Sequence, residues 1–157
     1  MTRKEITAAL LSAVTMYWAK KTFSVHPEFG IERWGRKRLD AVCMDFKSNF
    51  VGIEIKSCIA DYRTDKKWRD YVKHVNTMYF CFPPSVIESR LFPEIKAEIK
   101  AEGVGILCLT DGKIRVLQKA KKREIPEHEK HTMLVKMAWR TGDNRRTVKR
   151  TRRVYVK

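Results

Sequence analysis

Two acids and a lysine lie where neighbouring β-strands could bring them together. Asp40 lies in one strand-like apolar run, and Glu54 and Lys56 lie in the next. Because side chains alternate between the faces of a strand, Glu54 and Lys56 point the same way, and Ile53 and Ile55 point into the opposite layer. Charges held between apolar neighbours are costly without a partner. The spacing therefore indicates a site that binds a partner for these charges.

A divalent metal ion would supply that partner. Mg²⁺ prefers oxygen ligands and is commonly held by one or two carboxylates together with waters and a substrate phosphate. It can polarise a phosphodiester and lower the pKa of a bound water. Lys56 could orient that water or stabilise charge on the phosphorus. The alternative is the outer face of a surface hairpin, where solvated Asp, Glu and Lys are ordinary.

The predicted strands around these residues form a hairpin with a neighbour. Residues 39–46 and 50–58 are predicted to pair across a tight turn at residues 47–49. Residues 23–29 alternate in polarity but contain Pro27, which favours an edge strand. The hairpin would bring Asp40 close to Glu54.

The rest of the chain alternates between helical and strand-like segments. Apolar residues at helical spacing predict helices over residues 4–21, 61–76, 85–100 and 127–140. Pro93 should divide the third into two short helices or kink it. Further strands are predicted over residues 78–82, 104–109 and 113–117, with Asp111 and Gly112 as a hairpin turn. The predicted fold class is α/β, with a mixed sheet flanked by helices.

The charge of the chain indicates a polyanionic partner. Lys and Arg number 34 against 18 Asp and Glu, which gives a formal net charge of +16. Nucleic acid is the commonest polyanion in a cell. The sequence shows no basic amphipathic helix with a broad apolar face, which binding to a membrane surface would need. It also has no apolar run long enough to span a bilayer. We therefore expect a nucleic-acid partner and no membrane.

The cysteines bear on the compartment. Cys43, Cys58, Cys81 and Cys108 are widely spaced, with no C-x-x-C pair. Buried free thiols in a reducing compartment explain this pattern better than disulfides or zinc. The N-terminal residues read as an amphipathic helix and not as a signal peptide. A cytoplasmic location, in a bacterium or a phage-infected cell, fits these features.

The last residues of the chain differ in composition from the rest. We predict a domain over residues 1–140 and a basic arm over residues 141–157, either flexible or ordered by a partner. Its cations are Arg145, Arg146, Lys149, Arg150, Arg152, Arg153 and Lys157, against the single acid Asp143. Cations outside a core can neutralise phosphates, so we expect salt-sensitive DNA binding of weak sequence specificity.

The spacing of Asp40, Glu54 and Lys56 resembles the signature of PD-(D/E)XK nucleases, with Leu39 where that superfamily often has proline. Residues 61–71, which read Asp-Tyr-Arg-Thr-Asp-Lys-Lys-Trp-Arg-Asp-Tyr, resemble the helix of the MmcB-like DNA-repair branch that follows the E-x-K strand. The resemblance extends upstream through Pro27-Glu28 and residues 36–42, and downstream through residues 103–106. It spans roughly residues 23 to 140.

The resemblance implies a restriction-endonuclease-like single domain, a Mg²⁺ or Mn²⁺ requirement and DNA as substrate. By position, Asp40 and Glu54 would bind the metal and Lys56 would assist the attacking water. Glu28 would be the third acid, with Glu5 on the first helix as its competitor. The predicted function is a metal-dependent DNA nuclease, of the endonuclease type, acting in repair, recombination or replication.

Further cations are candidates for phosphate contacts. Arg36, Lys37 and Arg38 lie in a basic turn before Asp40, and Arg63, Lys66, Lys67 and Arg69 lie on the helix predicted after the catalytic strand. The alternative for that helix is a solvated face on which Asp61, Asp65 and Asp70 pair with its cations at i, i+4 spacing.

Two other functions remain open on these grounds. A DNA-binding subunit of a repair complex could keep the nuclease fold without cleaving, although it would have no reason to keep both acids facing DNA. A basic protein aimed at a protein partner would explain the charge but not the motif. A homodimer is possible, since many enzymes of this superfamily pair to cut two strands. Junction, flap, duplex and single-stranded DNA, and also RNA, are all alternatives for the substrate.

Overall fold

The structure is a computed structural model of the 157-residue chain that describes residues 1–32, 37–143 and 145. Contacts along the chain divide it into two compact units, Met1–Ile125 and a second that begins at Pro126. The first unit contains the sheet and the site. The second contains one described helix, α6 (Glu127–Gly142).

The first unit is a six-stranded mixed sheet with helices. Its elements in chain order are α1 (Arg3–Lys20), β1 (Ser24–Gly30), β2 (Arg38–Met44), β3 (Phe50–Ile55), α2 (Ile59–Thr64), α3 (Trp68–Tyr71), a 3₁₀ turn (Val72–His74), β4 (Thr77–Phe82), α4 (Pro84–Ile87), α5 (Phe92–Ala101), β5 (Gly105–Thr110) and β6 (Lys113–Gln118). The strands neighbour one another in chain order. Pairing is parallel for β3–β4 and β4–β5 and antiparallel elsewhere. The predicted fold class is confirmed.

Helix α1 covers one face of the sheet. Thr2 and Glu5 form a capping box at its start, in which each side chain accepts a hydrogen bond from the other residue's backbone N–H. Leu10, Val14 and Trp18 then form a buried stripe. This stripe packs in an apolar cluster with sheet residues that include Ile53, Ile55 and Cys81. The layer that the alternation of β3 predicts for its isoleucines is therefore confirmed.

The opposite face of the sheet is covered by aromatic side chains. Phe80, which is paired in register with Glu54, makes edge-to-face contacts with Trp68 of α3 and Tyr62 of α2. Trp68 is 1% exposed and Phe80 is fully buried. The face that carries Glu54 is thus an interior layer. The alternative of a solvated hairpin face is wrong, because two short helices lie over it.

The single helix predicted over residues 61–76 is also wrong. α2 ends at Thr64, and α3 begins at Trp68. Between them Asp65 has an extended backbone (φ −82°, ψ 105°), and its Oδ1 accepts a hydrogen bond from the Lys67 N–H at 2.9 Å. Such a local turn competes with helix formation even where the apolar spacing is helical.

Other predicted elements are confirmed. The segment 85–100 forms the two short helices α4 and α5, and Pro93 is the second residue of α5, where its missing N–H leaves no helical bond unmade. β1 is an edge strand, and β2 and β3 form the expected hairpin. Cys43, Cys81 and Cys108 are buried free thiols, and Cys58 is a free, half-buried one.

Most of the predicted basic arm falls outside the described residues: Arg146, Lys149, Arg150, Arg152, Arg153 and Lys157. Its boundary after residue 140 therefore stays a prediction. Arg145 is described, and it is paired rather than free: its guanidinium donates to Asp143 at 2.7 to 3.1 Å and lies over the ring of Trp139. Among the described residues, no helix is both long and apolar enough to cross a membrane.

Candidate active site

The carboxylates of Asp40 and Glu54 are fixed where the pairing of β2 with β3 ends. The last paired residues there are Ala41 and Ile53. Beyond them, Asp40 Oδ2 accepts a hydrogen bond from the Ile55 N–H at 2.7 Å, in place of a strand carbonyl. Glu54 Oε1 in turn accepts from the Asp40 N–H at 3.3 Å. Each acid is thus held by the backbone of the other strand, and the predicted approach of Asp40 to Glu54 is confirmed.

Lys56 completes the group from the end of β3. Its Nζ lies 3.5 Å from Glu54 Oε2 and 2.6 Å from Asp65 Oδ2. The side chains of Lys56 and Glu54 are only 11% and 7% exposed, and that of Asp65 is 16% exposed. These interactions are therefore screened little by water.

Burial dominates the electrostatics of the two acids. It raises the pKa of Glu54 to about 8, with a further rise from the Asp40 charge and an opposing effect from Lys56. Burial likewise raises the pKa of Asp40, against the hydrogen bond from Ile55. For Lys56, burial lowers the pKa, but the hydrogen bond to Asp65 and the charge of Glu54 outweigh it, so the pKa is raised. The lysine is consequently a cation at neutral pH.

The two candidates for a third acid occupy different places. Glu28 lies in β1 between Pro27 and Phe29, which pair with Ala41 and Leu39, so it is beside Asp40. Its charge adds to the raised pKa of Asp40. Glu28 also has a positive φ of 48°, a strained conformation for a non-glycine residue that is often found at functional sites.

Glu5 has a structural role at the start of α1. Its Oε2 accepts a hydrogen bond from the Thr2 N–H at 2.7 Å, which completes the capping box. The geometry near Asp40 therefore favours Glu28 over Glu5 as the third acid.

The donor set suits a hard divalent cation. When ionised, Asp40, Glu54 and Asp65 carry three negative charges against the single positive charge of Lys56. The described residues contain no group of three or more His, Cys, Asp or Glu side chains arranged to enclose a metal. Two carboxylates fit Mg²⁺ or Mn²⁺, which keep waters and take a substrate phosphate as a further ligand.

Leu39, the residue before Asp40, packs against a glycine of β3. Leu39 is 1% exposed. A Cβ placed on Gly52 would lie 2.8 Å from Leu39 Cδ1 and 3.2 Å from Val75 Cγ2. The leucine next to Asp40 therefore occupies space that a side chain at residue 52 would need.

Sequence reasoning assigned no role in the site to Asp65 or Tyr71. Asp65 holds Lys56 from the segment between α2 and α3. Tyr71 of α3 is buried, and its pKa is raised by burial and by the charges of Glu54, Asp65 and Asp40, so its phenol belongs to the same surroundings. Both residues belong to the Asp-x-Lys-Trp and Asp-Tyr run in the sequence. That run indicated that the segment matters, but it did not show that either side chain contacts the site.

The acids of the α2–α3 segment do not form the i, i+4 ion pairs with its cations that a solvated helix face would have. Asp61 binds the Ser57 hydroxyl and Arg3, Asp65 binds Lys56, and Asp70 lies 3.9 Å from Lys37. Arg69 pairs instead with Glu102. Arg63, Lys66 and Lys67 are exposed and have no ion-pair partner within the described part of the chain.

The other predicted DNA contacts have varied surroundings. Lys37 is half-buried, with its Nζ 3.2 Å from Glu32 as well as near Asp70. Arg38 is exposed at the start of β2. Arg36 lies outside the described residues. A cavity of about 380 Å³ opens beside Asp65, between buried Tyr62, Trp68 and Ile95 and a charged rim that includes Arg63, Lys66 and Glu98.

Comparison with known proteins identifies the family. Residues 2–150 match the model of a family described as DNA repair protein MmcB-like. The chain belongs to this family. Membership gives the protein a role in DNA repair, as the resemblance of residues 61–71 implied.

Solved structures place the fold alongside known ones. A protein of unknown function from Silicibacter pomeroyi, SPO1766, is similar with a TM-score of 0.70 and 20% identity, over 91% of this chain and 90% of that one. SfsA from Pyrococcus furiosus, solved with Ca²⁺, gives a TM-score of 0.42 and 16% identity, over 75% of this chain and 64% of that one. No curated protein matches the sequence. The first likeness shows the fold.

Proposed function

We propose that this protein is a metal-dependent DNA nuclease of the PD-(D/E)XK type that hydrolyses phosphodiester bonds during DNA repair. The observation that carries the proposal is the group formed by buried Glu54 with half-buried Asp40 and Lys56. Both carboxylates are fixed by backbone N–H groups, and the lysine Nζ lies 3.5 Å from Glu54. An interior arrangement of this kind is expensive to maintain, and its replacement by apolar residues would often stabilise a fold.

Each residue of the group has a proposed part in hydrolysis. Asp40 and Glu54 would hold Mg²⁺ or Mn²⁺, which when bound polarises the scissile phosphate and lowers the pKa of a water. Lys56, a cation at neutral pH, would donate hydrogen bonds to the attacking water or to a phosphate oxygen as charge develops there. Glu28, beside Asp40 on β1, would be the third acid.

The cations nearest to this group would bind the DNA backbone. Arg63, Lys66 and Lys67 are exposed near Asp65, and the acids of the same segment are committed to other partners. Arg38 is exposed two residues before Asp40. Such cations neutralise phosphates without reading bases, so affinity should fall steeply with salt and depend weakly on sequence. The cations of the basic arm, Arg146, Lys149, Arg150, Arg152 and Arg153, would add to this affinity, and Arg145 would do so only by leaving Asp143.

A second candidate is a non-cleaving DNA-binding subunit of a repair complex. It is favoured by the contact between Lys56 and Asp65, at 2.6 Å, since this contact engages the lysine that hydrolysis would need. A non-cleaving subunit, however, would give no reason for the burial of Glu54 and its raised pKa.

The test is cleavage of labelled branched, duplex and single-stranded DNA with Mg²⁺ or Mn²⁺. Asp40→Asn and Lys56→Ala should each reduce the cleavage rate by at least about 10²-fold, the usual effect of removing one electrostatic stabiliser. Asp111→Asn and Lys113→Ala are the matched controls, because both residues are exposed at the β5–β6 turn. The controls should cut like the wild type, and thermal unfolding should show all four variants to be folded.

The outcomes separate the two candidates. Metal-dependent cutting that both site variants lose and both controls keep would establish the nuclease and its centre. DNA binding without cutting in either metal would favour the binding subunit. Cutting that survives Asp40→Asn would place the catalytic centre elsewhere in the protein.

A further inference from the structure

We infer that Asp65 is a positioning residue: it draws Lys56 away from Glu54 and so leaves the Glu54 carboxylate open to a metal ion. The inference rests on the proposed function, because it assigns Asp40 and Glu54 as metal ligands. It adds Asp65, which lies outside the D…E-x-K motif, to the functional residues of the site.

The distances around the Lys56 ammonium carry the inference. Nζ is 2.6 Å from Asp65 Oδ2, a short charge-assisted hydrogen bond, but 3.5 Å from Glu54 Oε2, beyond ordinary hydrogen-bond length. Both contacts lie in a nearly dry region, where such a difference in length matters more than in water. The lysine is therefore bound to Asp65 and only near Glu54.

The segment that carries Asp65 is itself anchored, so it can hold the lysine in place. On one side, Asp61 of α2 accepts a hydrogen bond from the Ser57 hydroxyl at 2.6 Å. On the other, Trp68 of α3 is 1% exposed and packs on Phe80. Between these anchors the Asp65 Oδ1 accepts from the Lys67 N–H at 2.9 Å, which orients the carboxylate. Asp65 can thus position Lys56 without touching Glu54.

Removal of Asp65 has a definite consequence in this arrangement. The flexible Lys56 side chain would lose its closest partner, and Glu54 is the carboxylate already within 3.5 Å. An ion pair between Lys56 and Glu54 would then compete with the metal for the same oxygens. Loss of the Asp65 charge would also weaken cation binding through space, and a double-mutant cycle separates that effect from competition by the lysine.

The experiment measures Mn²⁺ binding to the full chain by isothermal titration calorimetry. The proteins are the wild type, Asp65→Asn, Lys56→Met, the double variant of the two, and Asp70→Asn as a matched control that removes an acid five residues away. Asp65→Asn should weaken Mn²⁺ binding by roughly 10-fold, a coupling usual for residues in contact. In the Lys56→Met background the same substitution should weaken binding clearly less than in the wild-type background, because no lysine remains to close on Glu54 and only the through-space effect of the lost charge is left. Asp70→Asn should bind like the wild type.

Thermal unfolding is the check on each variant. If Asp65→Asn does not fold, Asp65→Ser replaces it, since a serine hydroxyl can still accept from the Lys67 N–H. Cleavage rates from the same preparations provide the second readout, in which Asp65→Asn should show a higher Mn²⁺ requirement.

The possible results have distinct meanings. Equal Mn²⁺ binding by wild type and Asp65→Asn would overturn this inference alone, as would an equal loss in both backgrounds, which would indicate a simple charge effect. A wild type that binds no Mn²⁺ would overturn the inference and the proposed function together. The expected binding pattern in a protein that cuts no DNA would support the inference and count against the nuclease.

Discussion

The two faces of β3 are buried to a similar degree and are chemically opposite. Towards α1, Ile53 is fully buried and Ile55 is 7% exposed, in a cluster of apolar side chains. On the other face Glu54 is 5% exposed, and the Lys56 side chain is 11% exposed. One strand thus contributes alternate residues to an apolar core and to a charged group.

The contrast separates residues that stabilise the fold from a charged group that is maintained despite its energetic cost. Burial of an isoleucine side chain stabilises a protein by about 1.5–3 kcal/mol. A buried charged group gains little or nothing over an apolar one of the same shape. Residues that work against stability in this way are expected where a protein needs them for function. We therefore expect the residues that carry out the proposed function to lie on the face with Glu54.

The largest expected effect on stability comes from the apolar face. Ile53→Ala should lower the free energy of unfolding by about 2–5 kcal/mol, because it leaves a cavity under α1. Glu54→Gln, its neighbour on the other face, should leave the metal-free protein equally or more stable at pH 8. Urea unfolding of both variants measures this, and a Glu54→Gln loss as large as that of Ile53→Ala would contradict the division between the faces.

A smaller effect is expected from Gly52, which lies two residues before Glu54. A Cβ at this position would press on the side chains of Leu39 and Val75. Gly52→Ala should therefore destabilise the protein by about 1–3 kcal/mol, the usual range for overpacking. It should also reduce Mn²⁺ binding, since Leu39 precedes Asp40. The combination Gly52→Ala with Leu39→Val, which shortens the crowded side chain, should recover part of both losses; no recovery would show that Leu39 is not the cause.

The smallest effect, taken per pH unit, is a dependence of stability on pH. The pKa of Glu54 is about 8 in the folded protein and 4.5 for the ordinary side chain. Between these values the folded state keeps a proton that the unfolded state has lost. Rising pH should therefore lower the free energy of unfolding of the metal-free protein, by at most about 1.4 kcal/mol per pH unit.

Glu54→Gln is the matched variant for this dependence, because an amide has no proton to lose. Its free energy of unfolding should fall less between pH 5 and pH 8 than that of the wild type, with Asp40, Lys56 and Asp65 still present to titrate. Urea unfolding of both proteins across this range, with a chelator present, gives the two slopes. Parallel slopes would mean that Glu54 is ionised throughout the range.

Local patterns in the sequence were enough to predict much of the fold and the central part of the site. The period-2 alternation in β3 placed Ile53 and Glu54 on opposite faces, and the turn at residues 47–49 set the hairpin that brings Asp40 to Glu54. Pro93 correctly predicted two short helices over residues 85–100. These features depend on residues close in the chain, so the sequence carries them directly.

The sequence failed where a residue's partner came from another element. The helix predicted over residues 61–76 is broken at Asp65, whose carboxylate has partners on both sides, Lys67 and Lys56. The i, i+4 pairs that the alternative gave to Asp61 and Asp70 are absent, and these acids instead pair with Arg3 and Lys37. Helical spacing cannot show such pairs, because they depend on which segments the sheet brings together.

By itself, the sequence determined the residue types of the site, their order along two strands and the family of the chain, since the motif and the alternation of β3 are local. Only the tertiary structure decided that the Glu54 face is buried, that Leu39 fits over Gly52 and that Asp65 holds Lys56. The physical reason is that burial and ion pairing are set by what packs against a residue. Here α2 and α3, which follow β3 in the chain, fold back over the face that a hairpin alone would leave in water.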